Sequence, residues 1–230
     1  MIVRNAGAHL LLITQPEHAR AARATMEQWP TLGAHPRRSD ILVAIEHHDA
    51  MWAAGDAAPR IDVLTGAVVN FLHAPLDVKQ EWRCAAAVDS ATHPWSAALI
   101  AHHRRFVYRR YRDDAAWRRF FADVDAGYEA LRTQAGLPAS ALEDDYAFLR
   151  LGDLISLSFC TGSTVAELHE RWTVRGDGHV VRVTPEEFDQ AVPIAVSARR
   201  LPSRRFTSDD DLRRVYADAP TETLEGTIVF

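Results

Sequence analysis

Lysine and cysteine are nearly missing from this 230-residue chain. Its 26 basic residues include one lysine, Lys79, so Schiff-base chemistry has a single residue to use, and the Gly-Lys-Ser/Thr of a Walker loop is absent. The two cysteines, Cys84 and Cys160, exclude a disulfide framework and a Cys-rich zinc module. Long apolar runs are lacking too. The patch Leu10–Ile13 is too short for a signal h-region or a membrane span, which predicts a cytoplasmic protein with reduced thiols and no membrane partner. Nor is there surplus positive charge: the formal net charge is −5, which argues against nucleic acid as a partner. What is present is 47% hydrophobic and 25% charged residues, the balance of one soluble globular domain spanning 1–230, together with 11 histidines.

The expected fold is mainly α. Residues 1–13 read as short strands, Ile2–Arg4 and His9–Ile13. A helical body spans about 14–162. Thr14 and Glu17 have capping-box spacing and Pro16 lies in the first turn, so a helix runs from there to about Trp29. A second, largely buried helix starts at Ser39 or Asp40 and carries ILVAIEHHDAMW through Trp52. Residues 53–76 read as an irregular crossing. Further helices are expected over about 76–90, 94–111 and 113–134, the last capped by Gly136, and from a Ser140/Glu143 capping box onward. Residues 163–230 read as a small antiparallel sheet packed with the N-terminal strands. It holds a hairpin at Gly176-Asp177-Gly178 and a short helix capped by Ser208.

Four ionisable residues fall on inward helix faces. His18 shares a face with Ala22, Met26 and Trp29. His48 shares one with Ile41, Ile45 and Trp52, and Asp49 follows it directly. Asp153 interrupts the stripe Tyr146, Leu149, Leu157. A carboxylate in such a stripe is costly unless it is paired or bound to a metal. Three helices thus present metal-type ligands inward.

This order, His18, then His48-Asp49, then Asp153, resembles the HD-domain superfamily of metal-dependent phosphohydrolases. The resemblance implies an HD-like helical bundle in which these four residues hold one or two divalent ions, with His48 and Asp49 at the centre of catalysis. The ion would be Mn, Fe, Zn or Mg, and mixed His and carboxylate ligation suits Mn or Fe better than Mg. A narrower resemblance is carried by LLITQPEHA, EHHDAMW, AALIAHH and DYAFLRLGDLISLSFC. These segments are similar to an uncharacterised bacterial domain-of-unknown-function family with ITQ-x-x-H, HD-x-x-W and LR-x-x-D-x-[LI]-SL motifs. That family has Gly before the Trp, where this chain has Met51.

A fifth ligand would come from the fourth helix, where His103 falls near the middle of the inner face and His102 at its edge. His73 and His93, beside prolines, are further candidates, and His47 and Glu46 would support the site or face solvent. The arginine-rich run 104–119 and the cluster Arg199, Arg200, Arg204 and Arg205 read as solvated faces, or as a positive funnel for a small phosphorylated substrate. Ser156 and Ser158 lack the setting of a nucleophile. The function expected is metal-dependent hydrolysis of a phosphoester or nucleotide. The alternatives are a di-iron oxygenase and a non-catalytic ligand-binding protein. The sequence leaves the oligomeric state open.

Overall fold

In the computed structural model, which describes residues 1–81, 88–136, 138–185 and 189–230, the chain opens on two antiparallel strands, β1 (Ile2–Ala6) and β2 (His9–Ile13). Helix α1 (Gln15–Met26) follows at once, because the Thr14 side chain accepts from the Glu17 amide and Pro16 pre-sets the first turn. Trp29 then leads into a single turn, α2 (Pro30–Gly33), and α3 spans Arg38–His47. Short helices α4 (Ala53–Ala57) and α5 (Leu76–Glu81) flank a crossing that contains the bridge between Ile61 and Val68. Cys84 and the far half of the helix expected over 76–90 lie outside the described residues.

Three longer helices complete the body. They are α6 (Pro94–Val107), α7 (Arg118–Ala135), closed by Gly136 at φ 71°, and α8 (Ala139–Thr161), closed by Gly162 at φ 66°. A left-handed residue at a helix end favours glycine, which explains both stops. The expected Ser140/Glu143 capping box does not form, because Pro138 stands at the N-cap of α8 with no side-chain cap. Helix α8 packs against α1, α3 and α6 on one side and against β1, β4 and β5 on the other. It is apolar around much of its circumference for that reason.

The strands β3 (Glu167–His169), β4 (Trp172–Asp177), β5 (Val180–Thr184), β6 (Val192–Pro202) and β7 (Thr221–Val229) follow, with α9 (Asp209–Asp218) between the last two. Ser208 caps α9 as expected, accepting from Asp211. All seven strands form one sheet in the order β1-β2-β6-β7-β5-β4-β3. This overturns the expectation of a mainly α fold, an HD-like bundle with a small antiparallel sheet. The sheet is large, and it is mixed, because β5 runs parallel to β7. The physical cause is β6. Its alternation of buried and exposed residues persists over 11 residues, long enough to hold β2 and β7 along opposite edges. Among the described residues, no helix is long and apolar enough to cross a membrane.

Close packing between α1 and α8 turns on Gly152. A Cβ there would stand 2.8 Å from Met26 Cγ and 3.7 Å from Ala22 Cβ. Glycine lets the two helices approach with His18 on one and Asp153 on the other.

Candidate metal centre

His18 is fully buried on the same face of α1 as Ala22 and Met26. His48 caps the C-terminus of α3 in helical conformation, but Asp49 leaves it at φ −113°, ψ 12°. The helix expected to run through Trp52 therefore stops at the His-Asp pair and resumes as a 3-10 turn at Ala50–Trp52. That break turns the Asp49 carboxylate toward α1. Asp153 comes from the middle of α8 and His103 from α6, both buried.

These five side chains meet. His18 Nε2 lies 2.9 Å from Asp49 Oδ2. His48 Nε2 lies 3.6 Å from Asp49 Oδ2 and 3.5 Å from Asp153 Oδ1. The His48 ring stands edge-on to both His18 and His103, with centroids 5.0 Å away in each case. Two sets of three donor atoms, from His18, His48 and Asp49 and from His48, His103 and Asp153, each fall within 4.8 Å of one another.

Hydrogen bonds outside this cluster fix which nitrogens face inward. The Ile45 carbonyl accepts from His48 Nδ1 at 2.7 Å, so the neutral ring presents a lone pair on Nε2. That Nε2 is buried and has no hydrogen-bond partner. The Ser156 hydroxyl donates to the Asp153 carbonyl at 3.0 Å, and so accepts from His18 Nδ1 at 2.9 Å. The lone pair of His18 Nε2 then faces the carboxylate of Asp49. Two facing lone pairs demand a proton or a cation between them. His103 Nδ1 meets the Tyr146 hydroxyl at 3.1 Å.

The charge pattern is equally specific. Burial disfavours the charged form of His48, yet Asp49 and Asp153 outweigh it and raise its pKa to about 9. Burial raises Asp49 and Asp153, but His48 with His18, and His48 with Arg150, pull both below the usual carboxylate range. Burial lowers His103 to about 3, so it is a neutral donor at any physiological pH.

These residues fit a divalent cation. The inward nitrogen of His48, the lone pair of His18 and two carboxylates form a mixed nitrogen and oxygen set of the kind that Mn, Fe or Zn takes. Donors held about 2.1 Å from one ion stand roughly 3.0–3.5 Å apart. The separations of 2.9, 3.5 and 3.6 Å match that spacing. The contacts of His48 with Ile45 and of His18 with Ser156 are the supporting bonds that such ligands ordinarily have.

A cleft of about 420 Å³ opens onto Asp49, His103 and Asp153. Its wall carries the cations Lys79, Arg110 and Arg150. Arg150 donates to Asp153 and lies 3.6 Å from Glu167. Gln15 and Ser158 also line it, and each holds a buried side-chain oxygen without a partner. Nothing in the sequence marks Gln15 or Arg150 as cleft residues beyond their places in the ITQ and LR-x-x-D motifs, and Lys79 stands out there only as the single lysine. Of the two arginine clusters, only Arg110 lines the cleft. Arg105 and Arg112 bind Asp125, Arg199 binds the carbonyls at the end of α9, Arg200 pairs with Glu222, and Arg204 pairs with Asp211.

Other sequence candidates stay apart. His102 is buried but faces Tyr128, Tyr146 and Glu143, and burial lowers its pKa to about 4. Glu46 pairs with Arg23, and half-buried His47 ends α3. His73 is exposed in a 3-10 turn at Phe71–His73, and His93 precedes α6. None of these five belongs to either set of donor atoms.

Compared with known proteins, residues 1–203 match the family model described as a protein of unknown function, DUF3891. The likeness to a family of unknown function that the motifs suggested thus extends over most of the chain. No curated protein and no solved structure matches the chain.

Proposed function

Because the chain belongs to the DUF3891 family, whose function is not known, we propose its activity from the site itself: divalent-metal-dependent hydrolysis of a phosphoester. The observation that carries this reading is the buried Nε2 of His48, set 3.6 Å from Asp49 Oδ2 and 3.5 Å from Asp153 Oδ1 and beside His18. The order of the same residues resembles that of HD-domain phosphohydrolases, which supports the reaction class.

In this reading His18, His48, Asp49 and Asp153 hold one ion, with His103 facing it from the cleft side. His48 has one free nitrogen, since Ile45 occupies the other, so the two donor sets that share it are parts of one centre. That favours a single ion over the di-iron alternative. When bound, the ion polarises a phosphoryl oxygen and makes a water more acidic. The protein supplies the rest. Arg150 and Arg110 place positive charge along the cleft wall, where it offsets that of a phosphoryl group. Lys79 is anchored by the Leu72 carbonyl at 2.9 Å and keeps two further protons for an anion. Gln15 lines the same cleft as Asp49 and adds a polar side chain to its wall.

The test is metal analysis of the purified protein after exposure to Mn²⁺, paired with hydrolysis of a phosphoester panel. One ion per chain and Mn-dependent phosphate release are expected, both lost in Asp49→Ala. Hydrolysis that survives Asp49→Ala overturns the mechanism, and so does wild-type protein that takes up no ion.

A further inference from the structure

Resting on the hydrolase reading, we infer the substrate class: a phosphate monoester of an apolar alcohol, with its head at the His-Asp centre and its tail along the hydrophobic mouth of the cleft. Beyond the cations, the cleft wall is aliphatic. Leu154 follows Asp153 directly on α8, and Leu157 continues one turn further on; both line the cleft. At the rim stand Leu72, on the 3-10 turn at Phe71–His73, and Val165, on the segment between α8 and β3. Their exposures are 56% and 69%, high for side chains of this size. An exposed apolar rim joined to a charged interior marks the binding site of an amphiphilic ligand rather than of a wholly polar one.

Of the aromatic residues Trp52, Phe71, Tyr108 and Tyr111 in the same cleft, the two tyrosines are packed against neighbouring rings. Tyr111 stacks flat on Trp117, with centroids 4.8 Å apart and planes 4° from parallel, and the Arg110 guanidinium lies 4.7 Å from its ring centre. Tyr108 is 8% exposed and packs against Trp117 and Phe120. Trp52 and half-buried Phe71 extend the apolar wall beside the aliphatic path.

Equilibrium binding of alkylphosphonates from methyl to octyl, measured by calorimetry on the Mn-loaded protein, tests this without turnover. Affinity should rise about two- to fourfold per methylene, the range expected for partial to full burial of each group. In the double variant Leu72→Ser, Val165→Ser the increment per methylene should shrink to less than half. Both side chains sit at the surface, so the fold tolerates the change. Affinity indifferent to chain length, an increment unchanged in the double variant, or tighter binding of a nucleoside monophosphate than of octylphosphonate overturns the inference. Chain-length-dependent binding with no ester cleaved under any divalent metal keeps it and sinks the hydrolase reading. Hydrolysis at rates independent of the organic group does the reverse.

Discussion

The hydroxyl of Ser156 lies 2.9 Å from Nδ1 of His18, and this contact decides which nitrogen of that histidine faces Asp49. The hydroxyl proton is already committed to the Asp153 carbonyl. One small side chain therefore ties together α1 and α8, the two helices that carry His18 and Asp153.

Removing that hydroxyl should weaken the metal more than the fold. Ser156→Ala keeps the buried volume nearly unchanged but releases the tautomer of His18. Mn²⁺ affinity is expected to fall about 10- to 100-fold, with a metal-free melting temperature close to that of wild type. Titration calorimetry beside a thermal melt checks this, and an unchanged dissociation constant would show that Ser156 does not orient the ligand.

Metal binding should strengthen as pH rises. His48 has a pKa of about 9 in the metal-free protein, raised by Asp49 and Asp153 against the effect of burial. Its contribution to stability is complete below its ordinary value of 6.5 and is lost as pH rises through about 9. Asp49 and Asp153 are lowered, so their contribution holds above the usual carboxylate range and is lost as pH falls below it. His103, lowered to about 3 by burial, costs stability as pH falls below 6.5, so as far as this cluster is concerned the metal-free protein is most stable near pH 6.5. An ion must displace the His48 proton, so apparent affinity should climb about tenfold per pH unit towards pH 9. Melts with and without Mn²⁺ from pH 6.5 to 8.5 should show a widening gap. A constant or narrowing gap contradicts the assignment of His48 as a ligand.

The Asp145 cluster should govern stability and leave the metal alone. Asp145 is fully buried, accepts two bonds from Arg37 at 2.6 and 2.8 Å, and accepts one from Trp95 Nε1 at 2.7 Å. Asp145→Ala strands the guanidinium and the indole N–H together. A loss of about 1–3 kcal/mol is expected in denaturant unfolding, since Trp95 Nε1 is buried while Arg37 can reach water. Mn²⁺ affinity should stay within about twofold of wild type at a temperature where the variant is folded, since distant sites act nearly independently. A larger loss of affinity would show that this ion pair reaches the metal centre.

Gly152→Ala should act on both properties at once. The added methyl meets Met26 Cγ at 2.8 Å and forces α1 away from α8. Overpacking of this kind costs about 1–3 kcal/mol, and the displacement of His18 should lower Mn²⁺ affinity with it. A double-mutant cycle with Met26→Ala should give a coupling above about 0.5 kcal/mol, as expected for residues in contact. Full additivity would place the clash elsewhere.

The His-Asp cluster is legible in the sequence because each member breaks an apolar pattern: an Asp in a Leu and Tyr stripe, or a His among alanines and methionine, has few bland explanations. The rest depends on bonds that periodicity does not record. The stop of α3 at His47 is one case. Nothing in EHHDAMW signals a break, since the chain leaves the helix at Asp49, whose side chain meets His18 from another helix. Arg150 is another, since an arginine three residues before an aspartate reads as an ordinary surface pair until both prove to line one cleft. The sheet was misjudged for a related reason. Each strand is visible by its alternation, but the pairing of β2 with β6 and the parallel pairing of β5 with β7 join segments far apart in the chain. Local pattern carries no information on such partners.

The pairing of β2 with β6 also sets an order of events during synthesis. His18 lies a few residues beyond β2, and that strand finds its second neighbour at Arg199–Pro202. The first ligand to leave the ribosome is thus among the last to be held in place. An ion offered to the nascent chain would meet His48 and Asp49 long before the strand that steadies His18 exists, so the proposed centre would be complete only once β6 has been made.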